Sequence, residues 1–577
     1  MPSNTVQPNG WVAIRLPSEV TRVLQVIPNT TISLGKYGSF PSNLIIERPY
    51  HLTYEIQDRR EGENFARLRV VPGTELNADK LADVSATESA DGDDVIEPAN
   101  GEELMLVDES GKVVARAKRE VIDESARQTL TMAEIDQLKK EGASAGKELI
   151  AKLMLSHTAI DQKTAYSLAK YKLLKEKKYM RRFTILPLDV AQLGQWMLAE
   201  RDASKVMEMR QEMIGLLGCW ANVHFGGWPI DGAPGPHGGR WLAVDDTGGL
   251  LVAAMAERMG ILHAEPWEGE RDYAKEEAQD EREPEEQPHS DEAGAAEAEP
   301  PAVSSSPRTQ RSRPKRPRKD DLDDHYALTN AITLIHANSQ PNLSLLRHFD
   351  YDFGDPNPPY PYHPLFTHLL PISWLQLLDP EADATYSESA PEVDPDVLAS
   401  WKTNRRANYH RKRRRWARTR QIVDATRAGG FSGLAVASTM DPISVLRHAL
   451  PLLAGGAPVA IYSPTIEPLT QLADCFSIGR RGAWVSSPPA EAEGKTVAEL
   501  ESWPGTPEFP INPALLIGPQ VQTSRARRWQ VLPGRTHPFM TERGGASGYV
   551  FTGWRAIPAE GNITARGKFN RKKPKTG

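Results

Sequence analysis

Cysteine is nearly missing from this chain: Cys219 and Cys475 are the only two, far apart and without metal-ligand spacing. Their scarcity excludes a disulfide scaffold and a Cys-rich zinc site, so no metal centre is expected, and it fits a reducing compartment. Long apolar runs are missing too. No stretch approaches the roughly 20 apolar residues that cross a bilayer, and the N-terminus, MPSNTVQPNG, lacks the basic-then-apolar pattern of a signal peptide. The expectation is a soluble intracellular protein with no membrane association. Its 577 residues are too many for one core and predict two or three units joined by linkers.

A net charge of -7 argues at first against a polyanion-binding role. That average conceals segregation. The acid excess is concentrated in Glu75 to Glu103 and Glu265 to Glu299, where apolar residues are too few to offset the entropy of ordering. Elsewhere lysine and arginine cluster.

From Trp11 to about Ala126 short segments such as WVAIRLP, VTRVLQVIP and FARLRVVP alternate with turn signals. Period-two alternation and β-branched residues predict a small antiparallel barrel or sandwich. At Thr131 the period becomes helical, and Thr131 with Glu134 makes a capping box. A later helix, KTAYSLAKYKLLKEKKYMRRF, places Tyr171, Lys175, Lys178 and Arg182 on one stripe, widened by Lys170, Lys172, Lys177 and Arg181. Glu176 is the only acid between Lys163 and Arg182, whereas a solvated helix face would interleave both signs, so phosphates are the natural counter-charge. Phe183 to Leu188 reads as a strand opening the next domain.

That domain contains GRWLAVDDTGGLLVAAMAERMG, a strand, turn and helix with the outline of a nucleotide-binding unit. In S-adenosylmethionine (SAM) methyltransferases an acidic residue ends the strand and a G-x-G-x-G turn follows, so that the cofactor can approach the backbone. Asp245 supplies the acid, but the glycine places fall on Thr247, Gly249 and Leu251, so only the middle one is kept. Threonine and leucine side chains are then expected where the methionine and ribose would lie, and the turn reads as a strand-to-helix connection without a ligand.

Beyond the acidic stretch, PRTQRSRPKRPRK (Pro307 to Lys319) has the composition of a nuclear import signal or of a basic linker near RNA. The region from Asp350 to Pro395 reads as a long surface loop with one apolar segment, Leu369 to Leu378. RRANYHRKRRRWARTR (Arg405 to Arg420) interleaves arginine with Tyr409, His410 and Trp416, which suits RNA, although part of it could be a connector. An α/β series follows: strand Leu434 to Ala437, helix Ile443 to Leu453, strand Pro458 to Tyr462 and helix Leu469 to Phe476. Asp441 and Pro442 stand about where methyltransferases carry a base-contacting motif, but they read more readily as an N-cap with proline in the first turn. Last, RRWQVLPGRTHP puts Arg528, Arg535 and His537 around a turn between strands, a concentration of donors for phosphate or for a partner's carboxylates.

Together QTLTMAEIDQLKKEGASAGKELIAKL, the H-x5-KT-x5-KY segment, VDDTGG and RRWQVLPGRTHP resemble the non-catalytic, tRNA-binding subunit of eukaryotic tRNA (adenine-58-N1) methyltransferases in a fungal-like version. The resemblance covers both domains but not the inserts or the tail. It implies an N-terminal β-barrel, a Rossmann-like methyltransferase domain that has lost SAM binding, and a nuclear heterotetramer of two such subunits with two catalytic ones. The partner would carry SAM, and this chain would hold tRNA, with initiator tRNA as one potential client. Charge assigns the phosphate contacts to Lys170, Lys172, Lys175, Lys178, Arg181, Arg182, Arg528, Arg535 and His537. The implied organisation is a β domain at 10–127, a basic helical connector at 128–183, and a Rossmann-like domain at 184–263 and 326–562. An acidic-then-basic insert at 264–325 interrupts that domain, and a basic tail at 563–577 follows it.

Overall fold

Alternating apolar residues build the N-terminal sheet. The computed structural model describes residues 4–57, 65–76, 104–107, 113–117, 130–131, 133–135, 146–156, 165–226, 238–263, 330–354, 363–389, 391–532, 535–538 and 546–558. Strands β1 (Trp11–Arg15), β2 (Thr21–Gln25), β3 (Thr31–Ser33), β4 (Ser39–Pro41), β5 (Thr53–Gln57) and β6 (Arg67–Val70) form from the expected segments, followed by the hairpin β7 (Leu104–Val107) and β8 (Val113–Ala117). The segment 182–187 is strand β9 (Arg182–Pro187), and the antiparallel sheet runs β2-β1-β9-β5-β6. The expected boundary at 183/184 therefore falls inside this sheet. Phe183 stacks between Phe40 and Tyr54, with ring centroids 4.8 and 5.5 Å away, a slot that only an inserted strand can fill.

The sheet is antiparallel as expected, but it is not the expected closed barrel: among the described strands β2 and β6 are unjoined edges. Both faces are used for packing instead. Val12, Ile14, Tyr54, Ile56 and Ile185 point to the domain's own core, while Ala13, Val23, Leu186 and Leu188 join the core of the second domain. Between β8 and β9 lie helices α1 (Lys147–Leu155) and α2 (Ala165–Tyr179). Gly146, with φ 90°, starts α1 so close to α2 that a Cβ there would lie 2.5 Å from the Tyr179 carbonyl oxygen. Upstream, the capping box is present, with the Thr131 and Glu134 amides each donating to the other's side chain.

The second domain is doubly wound. Helices α3 (Val190–Glu200) and α4 (Gln211–Trp220) precede strand β10 (Arg240–Asp245) and helix α5 (Leu250–Met259). Then come strands β11 (Ala331–His336) and β12 (Leu369–Ser373), the long helix α6 (Thr403–Arg427), β13 (Gly433–Ala437), α7 (Pro442–Ala449), β14 (Pro458–Ser463) and α8 (Glu467–Cys475). Strand β15 (Leu516–Gln522), hairpin strands β16 (Trp529–Leu532) and β17 (Arg535–Pro538), and β18 (Tyr549–Arg555) close the domain. The seven-stranded order is β12-β11-β10-β13-β14-β18-β15, parallel except for β18, the Rossmann-like order with a reversed last strand inserted near the edge. Successive β10 residues alternate between layers: Trp241 and Ala243 face α3, α4 and α5, while Leu242 and Val244 face α7 and α8.

One local reading changes and another is decided. Part of the supposed loop at 350–395 is strand β12, whose Pro371 is tolerated because β12 is a sheet edge. Asp441 is an N-cap, its carboxylate accepting from the Ile443 and Ser444 amides, with Pro442 in the first turn. Segments 264–325 and 563–577 lie outside the described residues.

Candidate nucleic-acid interface and the glycine turn

Strand β10 delivers Asp245 to the carboxyl end of the sheet, where ligands of such folds bind. Its carboxylate is fully committed to the chain. One oxygen accepts from the Thr247 amide at 2.6 Å and hydroxyl at 2.5 Å, the other from the Val252 amide at 3.0 Å. Burial pushes this carboxyl above the ordinary carboxylate range, and those hydrogen bonds pull against the shift. Thr247 in turn accepts from the Leu251 amide, and both side chains are buried. Neither stands in an open crevice as the sequence implied: Thr247 folds onto Asp245, and Leu251 belongs to the core beside α4.

Another segment covers the turn. Gly248 and Gly249 have φ values of 72° and 94°, and the Leu345 amide donates to the Gly248 carbonyl. A Cβ on Gly249 would meet Leu343 Cα at 3.3 Å and Leu346 Cγ at 3.4 Å. Across the β10/β13 switch point Asp246 accepts from the Ser438 hydroxyl and the Thr439 amide, bridging the crevice. Strand β11 ends in His336, where a dinucleotide site would place a carboxylate for the ribose. Its Nδ1 lies 2.7 Å from the Asn338 carbonyl and so donates, and burial holds the imidazole below its usual pKa. None of the buried side-chain polar atoms lacking a partner among the described residues belongs to this turn. These residues do not fit a SAM-type cofactor. The covering segment, Leu343 to Leu346, carries no sequence motif.

The basic residues come together elsewhere. Helix α2 packs on the N-terminal domain, where Tyr171 is buried, the Tyr37 hydroxyl donates to the Lys177 carbonyl, and Lys177 pairs with Glu19 at 3.0 Å. Lys175 lies over the Tyr171 ring at 4.7 Å and Lys178 over the Tyr179 ring at 5.2 Å. Lys178 is exposed, while Lys170, Lys172 and Lys175 are half-buried. The same helix meets β16, which brings the hairpin and its flank beside the lysine-bearing helix. Arg528 is exposed just before β16. His537 sits on β17 opposite Gln530, its Nδ1 2.9 Å from the Pro538 carbonyl, and Arg535 is placed opposite Leu532 by the register. Exposed Trp529 and Val531 also sit on this hairpin; the sequence signal for Trp529 was its place after Arg527 and Arg528. Arg181 is half-buried and lines a surface hollow with Lys36 and Gln57.

Arg182 departs from the expected stripe. It begins β9 and is buried, with its guanidinium 3.4 Å from Glu55 Oε1 and 2.5 Å from Glu75 Oε1, while Arg69 pairs with the same two carboxylates. The helical period breaks at Met180, so Arg182 turns inward.

The model of the Gcd10p family matches residues 5–402. The non-catalytic subunit of tRNA (adenine(58)-N(1))-methyltransferase from Aspergillus oryzae is 47% identical over 589 residues, covering 99% of this chain and 95% of the relative. Its counterpart in Aspergillus fumigatus is 46% identical with the same coverage, and that in Schizosaccharomyces pombe is 25% identical over 99% of this chain and 96% of the relative. A family match over residues 5–402, more than half of the chain, and near-full-length relatives lead to one assignment: the chain belongs to the Gcd10p family.

Proposed function

We infer that the chain is the non-catalytic subunit of a tRNA (adenine-58-N1) methyltransferase, working with a SAM-binding catalytic subunit on tRNA. One observation carries this reading: a methyltransferase-ordered sheet is retained while its cofactor turn is closed by Leu343 to Leu346 and by the Asp246 bridge. A chain active by itself would keep that space open.

In this reading the chain binds no methyl donor, and its basic face, formed by α2 with the β16–β17 hairpin, holds the tRNA backbone. Lys170, Lys172, Lys175, Lys178, Arg181, Arg528, Arg535 and His537 supply contacts, and Arg182 supports them from within. The added contacts offset the few kcal/mol needed to extract a stacked adenine for the partner. The assembly is a heterotetramer of two such chains with two catalytic chains, located in the nucleus through the basic run at Pro307 to Lys319, with initiator tRNA among its clients.

The test is co-expression with and without the catalytic chain, followed by SAM calorimetry and tRNA binding on each species. SAM is expected to bind only species containing the catalytic chain, and tRNA to bind tightly only when both chains are present. Micromolar SAM binding to this chain alone would make it a methyltransferase. Full methylation with a charge-reversed α2 would reduce it to a scaffold.

A further inference from the structure

The long helix α6 is not absorbed by the basic face described above, and the match to the family ends at residue 402, just before it begins. Its two halves differ in kind. The C-terminal half is anchored: Val423 and Thr426 are buried, the Trp416 indole donates to the Tyr386 carbonyl at 2.8 Å, Arg418 to the Phe366 carbonyl at 2.7 Å, and Arg427 to the Leu377 carbonyl at 3.2 Å. The N-terminal half is tied differently. Tyr409 donates to the Pro391 carbonyl and meets Trp401 edge-on, and Arg405 stacks over Trp401 at 4.0 Å, all within the segment that leads into the helix.

Charge sets this half apart. Between Thr403 and Arg420 there are nine lysines and arginines and no carboxylate, and Asp424 is the first acid on the helix. Arg405, Arg406, Arg411, Lys412, Arg414 and Arg415 are exposed. Arg411 and Arg415 stand one turn apart as like charges, an arrangement that costs an isolated helix about 0.2–0.5 kcal/mol per pair. Glu392, which pairs with Arg413 at 3.6 Å, is itself almost fully exposed, and Asp424 lies 4.0 Å from Arg420 at the anchored end. A row of exposed guanidinium groups on a rigid, anchored rod, with no carboxylate in the stretch of helix that carries it, matches a polyphosphate backbone: arginine binds phosphate bidentately, and about 1.5 Å of rise per residue carries 13 residues along roughly 20 Å.

We propose that the exposed half of α6, residues 403–415, is a second RNA-binding surface, an arginine arm that grips the phosphate backbone of the tRNA outside the face made by α2 and the β16–β17 hairpin. The proposal rests on the tRNA-binding reading of the chain. The arm contributes affinity and salt dependence without base specificity, since phosphate contacts position a nucleic acid but do not read its sequence.

The test uses the full assembled complex with the six exposed residues changed to glutamine, which keeps helix propensity and removes charge. A second variant changes the five arginines to lysine and leaves Lys412 as it is. tRNA affinity is measured across a salt series beside a variant with Lys175 and Lys178 changed to glutamine on α2. If three phosphates are engaged, the glutamine variant should show a salt slope shallower by about 2–3 and an affinity at least about tenfold weaker at low salt. In methyl transfer its KM should rise with kcat unchanged. The lysine variant should recover most of the salt slope. Unchanged slope and affinity in the glutamine variant, with the α2 variant impaired, would overturn the arm and leave the tRNA-binding reading standing; both variants unchanged would overturn that reading as well. Loss of co-assembly with the catalytic chain would make the arm a protein interface and refute the proposal.

Discussion

Changing Arg182 to glutamine separates structural from RNA-binding cations. Arg182 and Glu55 are 9% and 4% exposed at their side chains, and with Arg69 and Glu75 they form a balanced set of two cations and two anions. Losing one member of a buried pair costs about 3–5 kcal/mol. Arg69 remains to hold both carboxylates and is more than a third exposed, so solvent screening reduces the cost to about 2–3 kcal/mol. In thermal unfolding of the N-terminal domain this should lower the midpoint by roughly 5–10 °C. Well below that transition, tRNA affinity and its salt slope should stay at the wild-type values. Lys178→Gln should do the opposite, leaving the midpoint in place and making the slope shallower by a little under 1. If Arg182→Gln left the midpoint unmoved and flattened the salt dependence, the inward placement of Arg182 would be refuted.

Restoring the missing glycines with Thr247→Gly and Leu251→Gly should not create a SAM site, because Leu343 and Leu346 still cover Gly249 and Leu251→Gly opens a core cavity instead; calorimetry showing micromolar SAM binding would contradict this. Asp350, in left-handed backbone near Tyr50 of the first domain, has its carboxyl pushed up to about 6 by burial. With the folded pKa above the unfolded one, the folded state holds the proton more tightly, so stability is greatest below about pH 4 and falls as pH rises to about 6. Asp350→Asn, which also tolerates the left-handed φ of 63°, should remove that dependence and raise stability at pH 7 by about 3 kcal/mol; denaturant midpoints at pH 4 and 7 that keep the wild-type difference would dismiss the assignment.

The sequence by itself determined what depends on neighbours a few residues apart. Alternation in WVAIR and TYEIQ made strands, the Thr131–Glu134 spacing made a capping box, and Asp441-Pro442 made a helix start. The strand, acidic residue and turn at 240–251 were legible for the same reason. The basic character of α2 and of the block around Arg528 was also plain, since charge is read residue by residue. Tertiary structure decided what depends on partners distant in the chain. It inserted β9 between β1 and β5, which drew Arg182 out of the basic stripe and into the pocket of Glu55 and Glu75. Packing of α2 on β16 joined two basic clusters that the sequence holds far apart. It also laid Leu343 to Leu346 over Gly248 and Gly249, which closes the turn more completely than the missing glycines do. Local periodicity fixes which face of an element is apolar, but which other element meets that face is settled by register and close packing across the whole chain.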